Sequence, residues 1–280
     1  MINKDKLKTL VSKKANSDSY TSLQLYQMFF FERILERISV SKYSKHIILK
    51  GGLLLSSIIG SDERTTKDMD AVVKGIPLEK EFAKSMVKEI LEIDLKDGVS
   101  FEMTTVDDIR ENDEYGGFRI MVLSTLESMR TYIAIEISTG DVITPKEMKY
   151  QYNCIFENKR IPMLAYTIET VLAEKFHTLV TRGIFNTRMK DFYDIYALME
   201  NNRNALNFLN IAPAIRNTFE RRRSIVNIED IKVDLKEMEQ SENMAKRWSD
   251  YQSSATYAKG IEYVSVYKSI YEIVRMLEKS

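Results

Sequence analysis

"RTTKDMDAVV", Arg64 to Val73, sets two carboxylates two residues apart at the head of an apolar run. Side chains alternate along a strand, so positions i and i+2 share a face, about 6.5–7 Å apart. Asp68 and Asp70 then line one face, while Met69, Ala71 and Val73 take the other, toward a core. Two like charges side by side repel, and a cation between them relieves the repulsion. A solvated strand end or turn can carry the same Asp-x-Asp, so the surrounding chain has to decide.

Working outward, "HIILK" (46–50) reads as a short buried strand, Gly51-Gly52 as a tight turn, and "LLLSSIIG" as an apolar helix ending near Gly60. Strand, glycine turn and helix together let backbone N–H groups face a phosphate, although an ordinary tight turn has the same letters. Between Thr21 and Ile38, the residues Leu23, Tyr26, Phe30, Ile34 and Ile38 recur at helical spacing, with Leu35 widening the stripe. Residues 1–19 form a polar, lysine-rich arm or short helix. Downstream, the pattern predicts a helix near 78–92, a strand near 99–105 and a hairpin-like region through "DEYGGF" (113–118). Two strands follow in "FRIMVL" and "YIAIEIST". In the last, Ile133, Ile135 and Ile137 point one way, and Tyr132, Ala134, Glu136 and Ser138 the other. From Pro162 the pattern is helical almost to the end. The expected organisation is an α/β domain over 1–160, a mixed sheet with flanking helices, and an α-helical domain over 161–280.

Composition narrows the classes. The chain has 280 residues, 44% hydrophobic and 29% charged, with 10 Gly and 4 Pro, which is an ordinary globular composition with a helical bias. Lys+Arg and Asp+Glu balance at 41 each, so any nucleic-acid surface must be a local patch. A single cysteine, Cys154, excludes an internal disulfide framework and a multi-cysteine metal site, and fits a reducing cytoplasm. The start, "MINKDKLKTLVSKK", lacks the apolar core of a signal peptide, and no apolar run approaches a membrane span. The expected location is cytoplasmic, with no membrane partner.

In order, the strand-GG-helix, the DxD strand and a carboxylate centred in a later apolar strand resemble the nucleotidyltransferase fold. The blocks "LKGGLLL", "RTTKDMDAVV", "IAIEISTGDVITP", "LAEKFHTLVTRG" and "RMKDFYDIYAL" resemble the AbiEii/AbiGii toxin family, the MenT-like nucleotidyltransferases, over roughly residues 47–200. The chain departs from that pattern in three places. The third acid, often Asp, is Glu136; the second residue of the usual GS turn is Gly52; and Thr167 stands where many relatives have proline.

The resemblance implies transfer of a nucleoside monophosphate from an NTP to an RNA acceptor, tRNA 3′ ends, by a growth-arresting toxin of a type IV toxin–antitoxin or abortive-infection system. A cognate antitoxin encoded nearby is then expected. A small-molecule or protein hydroxyl, or a silent nucleotide-binding module, are the other readings. Asp68, Asp70 and Glu136 would hold two Mg²⁺ ions, which such chemistry uses to neutralise the attacking and leaving oxygens. Gly51, Gly52 and Thr66 would approach the nucleotide, and Lys175 would contact its phosphates. Asp191, Asp194, Arg188 and Lys190 would complete the nucleotide site, with Asp191 orienting Lys175. Helical spacing puts Lys175, Leu179 and Arg182 on one face. A surface lysine, or a Lys190–Asp194 pair that only supports the helix, remains the structural alternative. His46 and His177 are too few and too far apart for a metal site. Arg221, Arg222 and Arg223, with Lys246, Arg247 and Trp248 of "MAKRWSDY", could follow an RNA backbone and stack a base.

Overall fold

β-Branched and leucine-rich runs flanked by glycine or polar turns build the sheet, and amphipathic runs build the helices that cover it. The computed structural model describes residues 1–17, 21–60, 66–109 and 116–280. Arg64 and Thr65 of the acidic motif, and Asp113 to Tyr115 of "DEYGGF", lie outside the described residues. The chain divides into two units, Met1–Gly140 with Met148–Ala165, and Asp141–Glu147 with Tyr166–Ser280.

The first unit begins with helices α1 (Lys4–Ser17) and α2 (Ser22–Val40), followed by strand β1 (Ile47–Lys50) and helix α3 (Gly51–Ile59). Strand β2 (Asp68–Val73), helix α4 (Lys80–Leu91) and strands β3 (Val99–Ile109), β4 (Gly117–Leu126) and β5 (Met129–Thr139) come next. Strands β6 (Met148–Asn153) and β7 (Arg160–Ala165) complete it. Among the described residues the strands form one sheet in the order β3-β4-β5-β2-β1-β7-β6. β2 runs parallel to β5 and antiparallel to β1, so the acidic strand lies inside the sheet. Its apolar face, with Met69, Ala71 and Val73, is buried as the alternation requires.

Helix α2 packs against β5, β7 and α4. It starts with a reciprocal capping box: Gln24 N–H donates to the Thr21 hydroxyl, and the Gln24 side chain accepts from Thr21 N–H. The expected stripe holds at Phe30, Ile34 and Ile38 but fails at Leu23, which is 59% exposed. Leu23 is the second residue of the helix, in its first turn. The C-terminal half is buried nearly all round, charged groups included. Arg37 is held by a bidentate pair to Asp97 (2.8 and 3.0 Å) and a bond to Val99 O, which makes its burial tolerable.

The helical pattern expected from Pro162 begins a few residues later, at Ile168, because β6 and β7 form an antiparallel hairpin with Pro162 inside β7. Proline is tolerated there because β1 joins β7 only at Leu164 and Ala165, leaving Pro162 opposite Gln151 of β6 alone.

The second unit is helical: α5 (Ile168–Arg182), α6 (Met189–Tyr196), α7 (Phe208–Arg221), α8 (Ile228–Gln240), α9 (Glu242–Ser254) and α10 (Tyr263–Glu278). Helix α5 packs on α6 and α7, and α10 on α6, α7 and α8. Thr167 caps α5 by accepting from Thr170 N–H and donates to Thr144 O (2.7 Å), tying residues 141–147 to the helix start. Ile270, Ile273, Val274 and Leu277 are buried along α10, as their spacing predicts. One π-helical turn, Ala197–Asn201, follows α6.

Candidate active site

The sheet register aligns charges that are far apart in sequence. Lys50 on β1 opposes Asp70 on β2, Asp70 opposes Glu136 on β5, and Glu136 opposes Arg119 on β4. Cross-strand partners share a face, so four strands carry a row reading Lys-Asp-Glu-Arg, with Asp68 one repeat along β2 on the same side. Asp68, Asp70 and Glu136 therefore meet on one face, as the alternation in each strand separately allowed. Lys50 and Arg119 were not singled out in the sequence. A base directly before Gly51-Gly52 and one charge at the head of the apolar "FRIMVL" were the available signals.

Two glycines and a threonine hold the acids. Gly51 has φ +62, and a Cβ there would lie 1.9 Å from Asp70 Oδ2, so only glycine lets the start of α3 close on this carboxylate. Gly52 N–H donates to the same oxygen at 3.2 Å. The pair forms the first turn of α3 and serves Asp70, a contact that phosphate binding alone did not suggest. Thr66, expected to approach the nucleotide, sits beside the first acid of the pair. Its hydroxyl is buried and bonded to Asp68 O (3.1 Å) and Oδ1 (3.2 Å), which makes it a support for Asp68.

Burial, then the Asp68 charge, push the Asp70 carboxyl up to about 6; the Gly52 bond opposes this and nearby Glu136 adds to it. The strand face thus carries more negative charge than its own bases neutralise. That excess, on hard oxygen donors, fits a divalent cation such as Mg²⁺. The third acid has a counter-charge of its own. Arg119 pairs with Glu136, and among the described residues no three Asp, Glu, His or Cys side chains converge as a metal cluster. Opposite charge explains it, since the guanidinium lies directly across the β4–β5 ladder.

The second unit holds its own acidic group. Lys175 Nζ on α5 lies 2.6 Å from Asp191 and 2.6 Å from Asp194, both on α6. Arg188 Nε donates to Asp191 at 2.9 Å. Burial would raise the Asp191 carboxyl, but Lys175 and Arg188 outweigh it and hold it below the usual range. Asp194 is fully buried and Lys175 nearly so, which removes the surface-lysine alternative. Lys190 is half-buried on the same helix.

The basic run is less available than its sequence implied. Arg222 bonds to His177 Nδ1 (3.2 Å) and Glu174 (3.2 Å), and Arg247 caps Ile184 O (2.8 Å) and Asn186 O (3.0 Å). Trp248 is 2% exposed and donates to Ile261 O, so it offers no face to a base. Its position on the buried stripe of α9, beside Met244, explains this. Lys246 is exposed. His177 packs edge-on against Phe219 at 4.7 Å, and burial with Arg222 pushes its imidazole down to about 4. His46 bonds to Lys74 O at 3.0 Å. Both histidines are structural.

A mixed sheet with DxD acids beside a glycine-led helix, joined in sequence to a helical unit, is the layout of a nucleotidyltransferase. A profile of the "Nucleotidyl transferase AbiEii toxin, Type IV TA system" matches residues 33–264, and the chain belongs to this family. The fold is also that of two Helicobacter pylori crystal structures. One is described as a candidate nucleotidyltransferase, with TM-score 0.50 and 15% identity over 93% of this chain and 98% of that one. The other is JHP933, with TM-score 0.50 and 16% identity over 92% and 95%. No curated protein matches the chain. No helix among the described residues is long and apolar enough to cross a membrane.

Proposed function

We propose that this chain transfers a nucleoside monophosphate from an NTP to the 3′ end of an RNA, a tRNA in the first instance, releasing pyrophosphate and arresting growth until a cognate antitoxin intervenes. The observation that carries the reading is the register that sets Asp70 beside Glu136 with Asp68 on the same face. Asp68, Asp70 and Glu136 would hold the divalent cations, which would supply charge neutralisation at the attacking and leaving oxygens. Gly51 and Gly52 fix Asp70, and Thr66 fixes Asp68, so the carboxylates are held in place before substrate arrives. Glu136 accepts the proton of the acceptor hydroxyl. Lys175, kept charged by Asp191 and Asp194, contacts NTP phosphates, and Arg188 and Lys190 add positive charge beside it. The RNA acceptor rests on the family resemblance, with Arg221, Arg223 and Lys246 as the remaining basic candidates.

Incubation with total tRNA, Mg²⁺ and each labelled NTP tests it. Label at tRNA 3′ ends, absent with Asp68→Ala, is expected. Label on a small molecule or on protein, or labelling that survives Asp68→Ala, overturns it.

A further inference from the structure

Glu136 has a partner that the transfer reaction cannot leave in place. Its carboxylate pairs with the Arg119 guanidinium, the end of the Lys50–Asp70–Glu136–Arg119 row. Arg119 is not a packing residue. Its side chain is 42% exposed and Glu136 is 26% exposed, so the pair faces solvent on the acidic side of the sheet. A carboxylate engaged by a guanidinium has surrendered lone pairs that a cation would need. The sequence expectation gave Glu136 to the metal, whereas the structure gives it to Arg119.

Resting on the nucleotidyl-transfer reading, we propose that Arg119 is a positioning residue, a latch that holds Glu136 until a divalent ion competes it away. At rest, the guanidinium offsets repulsion between Glu136 and Asp70, neighbours across the β2–β5 ladder. Binding of the ion exchanges one counter-charge for another, and the released guanidinium is left on the same face as the acids. Arg119 thereby sets how tightly the acids take the ion, because the guanidinium, bonded to one Glu136 oxygen, competes with the ion for that carboxylate. The direction is definite: removing the latch tightens cation binding, and it does so only while Glu136 is present to be freed.

The test is calorimetric titration of Mn²⁺ alone, without nucleotide or acceptor, into the full chain and into Arg119→Gln, Glu136→Gln and the double variant. Thermal unfolding in EDTA first establishes that each is folded. Arg119→Gln is expected to tighten Mn²⁺ about 2- to 150-fold, the range of direct side-chain couplings. The same change in the Glu136→Gln background is expected to do nothing. Arg119→Lys, which keeps the charge but loses the fork, is expected to fall between. An unchanged affinity in Arg119→Gln overturns the latch, as does equal tightening in both backgrounds, which marks a general charge effect. A parent chain that takes up no Mn²⁺, or takes it up undiminished as Asp70→Asn, overturns the metal reading beneath it, a result distinct from failure of the latch.

Discussion

Asp70 and Asp194 are the same side chain withdrawn from water, and their surroundings differ in sign. Asp194 shares the Lys175 ammonium with Asp191, and Arg188 adds a second cation, so that cluster is neutralised within the helical unit. Asp70 has acids at its own i−2 position and across the β2–β5 ladder, against which Lys50 across the β1–β2 ladder and the Gly52 amide are the support. Its carboxyl is accordingly pushed up, while that of Asp191 is held down. The difference teaches what each is built for. The helical cluster keeps a lysine charged and fixed, whereas the strand cluster stores repulsion that a cation relieves.

The largest expected effect breaks the helical side of the comparison. Lys175→Met leaves two buried carboxylates facing each other, and should cost about 3 kcal/mol or more by denaturant unfolding. The same variant, assayed where it is folded, should raise the KM for NTP. A stability equal to that of the parent would show that Lys175 does not neutralise the pair.

The strand side should respond oppositely. Asp70→Asn removes a destabilising charge and should abolish transfer while stability holds or rises by about 1–3 kcal/mol. The sign follows from the direction of the shift. A folded-state value of about 6, above the ordinary 3.8, means that the folded chain holds the proton more tightly. Stability from that proton is present below about pH 4 and lost as pH rises through 6. The advantage of Asp70→Asn should therefore open between pH 4 and 6 and level off above 7. An advantage that shrinks as pH rises would place a counter-ion at Asp70. His177 provides a contrast of opposite slope. Buried neutral, with its imidazole pushed down to about 4, it contributes stability above pH 6.5 that is lost on acidification. His177→Gln should flatten the parent's decline between pH 6.5 and 4.

How much of this contrast the sequence held depends on how local each cause is. The DxD, the glycine pair and the alternation of "YIAIEIST" are short-range patterns and could be read directly, whereas Lys175, Asp191 and Asp194, on two helices, were marked by the family resemblance. The counter-charges were not legible, because they depend on strand order. Lys50, Asp70, Glu136 and Arg119 become neighbours only once β1, β2, β5 and β4 are laid side by side in non-sequential order. The strand around Pro162 was not legible for a related reason, since a proline is tolerated in a sheet only where its strand lacks a second neighbour, and that too depends on strand order. Trp248 and Arg222 looked like surface ligands because charge and aromaticity say nothing of which helix face is covered.

The smallest expected effect sharpens the strand side by asking what the neighbouring hydroxyl does for Asp68. Thr66 is buried and bonds to both the carbonyl and the carboxylate of Asp68, so its hydroxyl acts on the site through that residue. Thr66→Val keeps the volume and removes the donor, which should cost about 0.5–1.5 kcal/mol of stability. A loosened Asp68 lowers turnover without touching nucleotide contacts, so kcat should fall about 3- to 10-fold while KM for NTP stays fixed. The resemblance to the family implies the other pattern, in which Thr66 meets the nucleotide and its loss raises KM at unchanged kcat. Steady-state kinetics of this one variant separate a threonine that orders an acid from one that binds a substrate.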